Sequence, residues 1–312
     1  MTTLLLHLSD VDEARWAEAY RSALPKVRVV RRGDSFDPAG VDYVFVWKPK
    51  ADAFDGLAKL KAVLSLGAGV DALLKHPHLP DVPIVRFVDD DLTQRMTDYV
   101  VAQVTMHQRQ FTRYKRDALA RRWVQYYPPA ASETRVGIMG LGRLGTDAAL
   151  NLKALGFTVL GWSRTASHLD GIKTFTGDAI DHFLAETDIL VCLLPLTPET
   201  TGILNYELFK KLRRGLEGGP VIVNAARGGH QKEADIVRAL GDGTLGAASL
   251  DVFEVEPLPA TSPLWALDNC YVTPHIAAIS NIDAGVRYFS QIIRDHELGV
   301  PLPNVVDRTR GY

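Results

Sequence analysis

Cysteine, unbalanced charge and long apolar runs are all scarce in this chain, and each scarcity excludes a class of protein. The 312 residues hold only two cysteines, Cys192 and Cys270, far apart and each in an apolar context. With no CxxC pair and no Cys/His ligand spacing, neither a disulfide framework nor a metal site is expected, and both thiols read as buried. Lys and Arg number 35 against 37 Asp and Glu, a formal net charge of -2. That balance offers no basic excess to track a phosphate backbone, so no nucleic-acid partner is expected. No apolar stretch approaches the roughly 20 residues that cross a bilayer, which argues against a membrane partner. The opening "MTTLLLHLSD" lacks a basic start and is broken by His7 and Asp10. It reads as a first β-strand rather than a leader, and the expected location is cytoplasmic.

What the chain does have is alternation. "LLLHL" is followed by "EARWAEAYRSAL", "YVFVW" by "FDGLAKL", and "AVLSLG" by "VDALLKH". Apolar runs alternating with helix-like segments predict βα units and a parallel sheet covered on both faces. From about residue 98, "TDYVVAQVTMHQRQFTRYKRDALARRW" predicts one long helix leading out of a first domain, and the acidic "VDDDLTQRM" before it reads as a solvated turn, with Met96 where two domains should meet. A second βα series runs through "RVGIMG", "TVLGW", "DILVCLLP", "PVIVNAA", "GAASLDV" and "CYVTPH". The last helical segment, "NIDAGVRYFSQIIRDHELG", is expected to return to the first domain. The domains are therefore placed at 1–98 plus 283–312 and at 99–282, and a chain of this length fits two domains with a cleft between them.

In "RVGIMGLGRLGTDAALNLKALG" a strand ends in Gly140, Gly142 and Gly145 and a helix starts at once. Strand, GxGxxG and helix are the parts a dinucleotide site needs: a tight turn, close backbone approach to the pyrophosphate, and amides of the helix N-terminus facing it. Leu141, Arg143 and Leu144 complete the turn as cofactor-binding positions. The fold class is accordingly α/β, two Rossmann-like doubly wound parallel-sheet domains. After the next strand, where an acid usually accepts hydrogen bonds from the ribose of NAD, the chain reads "GWSRT". Ser163, Arg164 and Thr165 supply hydroxyls and a guanidinium suited to a 2′-phosphate, so NADP(H) is preferred over NAD(H).

Three later strand ends carry polar residues: Arg227 in "VIVNAARGG", Glu256 in "SLDVFEVEPLP" and His275 in "YVTPHIAA". Ligands of open α/β sheets gather at such ends. The set suits reduction of a 2-oxo acid, with Arg227 gripping the substrate carboxylate, His275 donating a proton and Glu256 orienting His275.

The segments "GIMGLGRLG", "LLPLTPETTGILN", "VNAARGG", "LDVFEVEPLP" and "TPHIAA" occur in an order that strongly resembles the D-isomer-specific 2-hydroxyacid dehydrogenase family. Within it, "LGAGVD", "GWSRT", "SPLW" and "VDRTRGY" are most similar to the glyoxylate/hydroxypyruvate reductase A branch. The resemblance implies that Arg227, Glu256 and His275 are catalytic, and that the protein is a homodimer formed through the cofactor domain. It implies that Gly67, Ala68, Gly69 and Val70 receive the substrate carboxylate, with Trp47 lining the substrate side and Arg227 and His275 also touching substrate. It places Leu194, Pro195, Leu196, Thr200, Ala225, Ala226 and Asp251 along the cofactor. The activity expected is NADPH-dependent reduction of glyoxylate to glycolate and of hydroxypyruvate to D-glycerate. Two alternatives stay open: the same chemistry on another 2-oxo acid, and an NADP(H)-sensing protein without catalysis.

Overall fold

The structure, a computed structural model, describes residues 1–311. The chain begins with β1 (Thr3–Leu8), α1 (Glu13–Ala23), β2 (Arg28–Arg31), β3 (Tyr43–Trp47), β4 (Ala62–Ser65), α2 (Asp71–Leu74) and β5 (Ile84–Arg86). It continues through α3 (Asp90–Gln108), α4 (Phe111–Leu119), β6 (Arg135–Met139), α5 (Arg143–Ala154), β7 (Thr158–Ser163) and β8 (Lys173–Thr176). There follow α6 (Ile180–Ala185), β9 (Ile189–Cys192), α7 (Tyr206–Phe209), β10 (Val221–Asn224), α8 (Glu233–Gly241), β11 (Ala247–Leu250), β12 (Cys270–Val272) and α9 (Ile282–Glu297).

Two units result. One holds Met1–Leu92 and the segment from Ser280 on, the other Thr93–Ile279. The divisions fall at 92/93 and 279/280, where the sequence placed them at 98/99 and 282/283.

The first unit is a parallel sheet of order β2-β1-β3-β4-β5. Leu5, Val44, Val46, Val63 and Ile84 point to one apolar cluster. Phe45 points the other way, into a group of rings with Trp16 and Tyr20 of α1 and Phe289 of α9. Helix α9 starts where Asn281 accepts hydrogen bonds from the amides of Asp283 and Ala284, and buries Val286, Phe289, Ile292 and Ile293.

The second unit is a seven-stranded parallel sheet of order β12-β11-β10-β9-β6-β7-β8. Its inner strands alternate between two cores: Ile189, Val191, Val221 and Val223 face one cluster, Leu190, Cys192 and Ile222 the other. Burial on both faces is why these strands read as continuous apolar runs.

Several expectations are corrected. "FDGLAKL" is a series of turns, because Gly56 adopts φ 75°, outside the helical region. The acidic run is no solvated turn: Asp90 and Asp91 form the first turn of α3, where carboxylates favour the positive helix end, and the Asp89 side chain accepts the Asp91 amide at 2.9 Å. The expected single long helix is two, broken at Gln110, whose φ of 60° ends α3 and lets α4 start in a new direction. Met96 is buried in a core of the second unit. Cys192 is fully buried, whereas Cys270 is only partly so, because β12 is an edge strand with no fully buried residue. No helix among the described residues is long and apolar enough to cross a membrane.

Candidate active site

The β6–α5 turn shows why its glycines differ in purpose. Gly140 has φ 100°, and a Cβ there would lie 2.7 Å from the Leu193 carbonyl oxygen. At Gly145 a Cβ would overlap the Gly140 carbonyl oxygen, so strand and helix approach too closely for any side chain. Gly142, the N-cap of α5, is different: a Cβ there meets nothing within 4 Å. Internal packing does not demand that glycine, whereas a phosphate drawn up to the helix N-terminus would. The residues present therefore fit a dinucleotide. Leu141 folds over β7, where Gly161 makes room for it; a Cβ on Gly161 would be 2.7 Å from the Leu141 side chain. Leu144 is half-buried beside the cluster that holds Ile189 and Val191, and exposed Arg143 donates from Nε to Thr93 Oγ1 at 3.2 Å.

At the end of β7, the Ser163 hydroxyl donates to the Thr165 carbonyl at 2.7 Å, which curls the loop and leaves Arg164 and Thr165 exposed. Glu199 stands close enough for the Arg164 charge to act on it. The Thr197 hydroxyl, then the Glu199 amide and last the Arg164 charge hold its carboxyl below the usual range. Sequence reasoning missed this acid because it lies about 35 positions away on another loop.

After β9, Leu194 is buried in the cluster that holds Leu190 and Cys192, and Leu196 lies over the Gly229 backbone, 2.9 Å from where a Cβ would be. The Pro195 carbonyl accepts the Thr200 hydroxyl at 2.8 Å, and Thr200 Oγ1 accepts the Thr197 amide at 2.9 Å. Thr200 thus closes its own loop. After β10, Ala225 and Ala226 are buried and lead to half-buried Arg227. Its Nη1 donates to the Ala226 carbonyl at 2.7 Å.

Three side chains not anticipated from sequence build the Arg227 turn. Asn224 accepts the Ala226 amide at 3.1 Å and donates to the Arg227 carbonyl and to Gln231 Oε1, at 3.1 and 2.8 Å. Gln231 passes the connection on to the Val252 carbonyl at 2.9 Å. His230 has Nδ1 against the Arg227 backbone and Nε2 3.2 Å from the Pro195 carbonyl, tying two loops together. All three are fully buried polar groups with partners, as burial requires. The only signal in the sequence was polar residues immediately after an apolar strand.

His275 and Glu256, 19 positions apart, meet: Nδ1 is 2.8 Å from Glu256 Oε2. An ionised carboxylate can only accept, so Nδ1 carries the proton and Nε2 is the ring nitrogen not engaged by Glu256. The other Glu256 oxygen accepts the Phe253 amide at 3.2 Å, which orients the carboxylate. The His275 side chain keeps 38% of its surface exposed. His275 itself has φ 56°, and Asp251 lies beneath it, fully buried, accepting the amides of Ile276 and Ala277 at 2.8 and 2.9 Å. In the first unit, the Trp47 ring covers Gly67, where a Cβ would be 2.7 Å from the indole. Ala68 is half-buried, Gly69 is exposed, and the Val70 side chain lies in the unit's apolar cluster. Among the described residues no cluster of His, Cys, Asp or Glu could hold a metal ion.

Residues 101–277 match the family described as D-isomer specific 2-hydroxyacid dehydrogenase, NAD binding domain. The chain is 40% identical to glyoxylate/hydroxypyruvate reductase A of Escherichia fergusonii over 99% of each protein. It superposes, with a TM-score of 0.95 and 45% identity over 100% of both chains, on an NADPH-dependent glyoxylate/hydroxypyruvate reductase from Sinorhizobium meliloti in complex with NADP and sulfate. A probable 2-hydroxyacid dehydrogenase from Rhizobium etli, in complex with NADP, HEPES and L(+)-tartaric acid, matches with a TM-score of 0.94 and 46% identity over 100% of both chains.

Proposed function

The chain belongs to the D-isomer specific 2-hydroxyacid dehydrogenase family, and from that membership we propose that it uses NADPH to reduce glyoxylate to glycolate and hydroxypyruvate to D-glycerate. The observation that carries the reading is the 2.8 Å pairing of His275 Nδ1 with Glu256, which leaves Nε2 available for proton delivery. When bound, the nicotinamide supplies a hydride to the C2 carbon of the oxo acid. Arg227 grips the substrate carboxylate through its planar guanidinium and so aims the neighbouring carbonyl. As the C2=O π bond breaks, the oxygen takes the proton from Nε2 of protonated His275. Glu256 keeps the ring in one tautomer and stabilises its charge before transfer. Gly67, Ala68, Gly69 and Val70 would offer backbone amides to a substrate carboxylate, with Trp47 beside them.

The turn residues Gly140 to Gly145 would hold the pyrophosphate. Leu194 to Leu196, Thr200, Ala225, Ala226 and Asp251 would border the rest of the dinucleotide. Ser163, Arg164 and Thr165 would take the 2′-phosphate, with Arg164 turning from Glu199 to the more strongly charged group. Relatives whose structures contain NADP support this choice. We assign a homodimer to the second unit, where α4 and the segment after it expose Phe111, Leu119, Trp123 and Tyr127.

The test is absorbance-monitored oxidation of NADPH and NADH by the purified protein, with glyoxylate and hydroxypyruvate as acceptors. Strong preference for NADPH is expected, and Arg164→Ala should shrink that preference roughly tenfold or more, the value of a charge-assisted hydrogen bond. An unchanged ratio in the variant removes the 2′-phosphate role. Absence of turnover with both acceptors moves the substrate assignment to other 2-oxo acids.

A further inference from the structure

His275 occupies a left-handed backbone conformation, φ 56°, that residues with a side chain rarely adopt and that surrounding contacts must hold. Those contacts converge on one buried residue, Asp251. The His275 amide donates to the Asp251 carbonyl at 2.8 Å, and the next two amides, of Ile276 and Ala277, donate to the Asp251 side chain at 2.8 and 2.9 Å. The same carboxylate accepts the Thr273 hydroxyl at 2.6 Å. Tyr99 Oη, from α3, lies 2.9 Å from Thr273 Oγ1.

The proton directions along this chain follow from the groups themselves. An ionised carboxylate has no hydrogen to give, so the single hydroxyl proton of Thr273 must point to Asp251. The oxygen of Thr273 is then left as an acceptor, and Tyr99 donates to it. The relay runs one way, from Tyr99 through Thr273 to Asp251, and meets there the two amides that follow His275. Burial pushes the Asp251 carboxyl up, while the Thr273 hydroxyl, the two amides and His275 work to keep it charged.

We infer that Thr273, backed by Tyr99, is a positioning residue for the reaction: it fixes the Asp251 carboxylate that clamps the His275 loop and so aims Nε2. The inference rests on the proton-donor reading of His275. Neither hydroxyl needs to touch substrate for this role. Each acts through backbone that His275 shares.

Full-length Thr273→Val, Thr273→Ser and Tyr99→Phe separate the possibilities, with His275→Gln as the reference. Three quantities are read: kcat and KM for hydroxypyruvate, the Kd for NADPH by fluorescence, and hydrogen exchange at the Ile276 and Ala277 amides in the free protein. Thr273→Val should lower kcat roughly tenfold and speed exchange at both amides by about the same factor, with KM and Kd held within about twofold. Serine, which keeps the hydroxyl, should restore both readouts. Tyr99→Phe should shift them in the same direction by a smaller factor. Native kcat and native exchange in Thr273→Val, beside an inactive His275→Gln, overturn the relay and leave the proton donor in place. Loss of kcat and NADPH affinity together, without rescue by serine, assigns Thr273 to stability alone and overturns the inference. Native turnover in His275→Gln overturns the proton-donor reading and this inference with it.

Discussion

Gly142 and Gly145 stand three residues apart in one turn, yet alanine at each is expected to fail differently. At Gly145 the added methyl has backbone in its way on the Gly140 carbonyl, so the β6–α5 junction must open. At Gly142 the methyl enters space bordered by no atom of the protein. Gly145→Ala should therefore lose about 1–3 kcal/mol of stability, the range for overpacking, whereas Gly142→Ala should lose only the smaller amount, about 1 kcal/mol or less, of a poorer N-cap and bind NADPH roughly tenfold more weakly. Thermal melts with and without NADPH distinguish them; equal melting losses would return both glycines to a packing role. The spacing of these residues was legible because a local turn dictates it. The Arg227 turn was only half legible: Arg227 stood out, but Asn224, His230 and Gln231 take their meaning from partners such as Pro195 and Val252 that no local spacing reveals.

Helix α3 shows the same contrast over a longer stretch. Its apolar periodicity announced a helix, but the break at Gln110 depends on a single left-handed residue, a conformation rare outside glycine that a glutamine does not announce. The polar residues Tyr99, Gln103 and His107 recur every four positions and so form one stripe. In the fold that stripe lies along β11 and β12: Tyr99 reaches Thr273, while Gln103 Oε1 accepts the Ser249 hydroxyl at 2.6 Å and His107 Nε2 lies 2.8 Å from Ser249 Oγ. Since Ser249 has given its proton to Gln103, His107 is the donor, from Nε2. Burial pushes its imidazole from the usual 6.5 down to about 4. Between those values the unfolded chain binds a proton that the folded one refuses, so stability rises with pH there. The contribution is complete above about pH 6.5, falls away as the pH drops towards 4, and amounts to about 3 kcal/mol. Urea midpoints measured across that window should fall more steeply for the native protein than for His107→Gln, whose amide can still donate to Ser249. Parallel curves would mean that other groups cause the acid sensitivity.

At the scale of the whole molecule, the strong apolar strands β1, β3, β4, β6, β9 and β10 identified two α/β units in the sequence. The strands that escaped notice are short or half-exposed: "RVVR" and "IVR" in the first sheet, and "KTFT" at the edge of the second. Their pairing comes from neighbours already in place rather than from their own pattern. The order of the units along the chain has a physical consequence, because the first is finished only when α9 packs on α1. Gly285 makes that possible: a Cβ there would stand 2.8 Å from the Trp16 ring, with Leu66 also close at 3.7 Å. Trp16 packs on Phe45 of β3, at 5.3 Å between ring centres, so a side chain at 285 presses on the sheet through one indole. Gly285→Val should destabilise by about 1–3 kcal/mol, with faster hydrogen exchange in β1 and β3. NADPH binding, which the proposed site draws from β6, α5 and β7, should keep its native Kd in the same variant. Faster exchange in β6 and β9 equal to that in β1 and β3 would instead show that the two sheets open as a single cooperative unit.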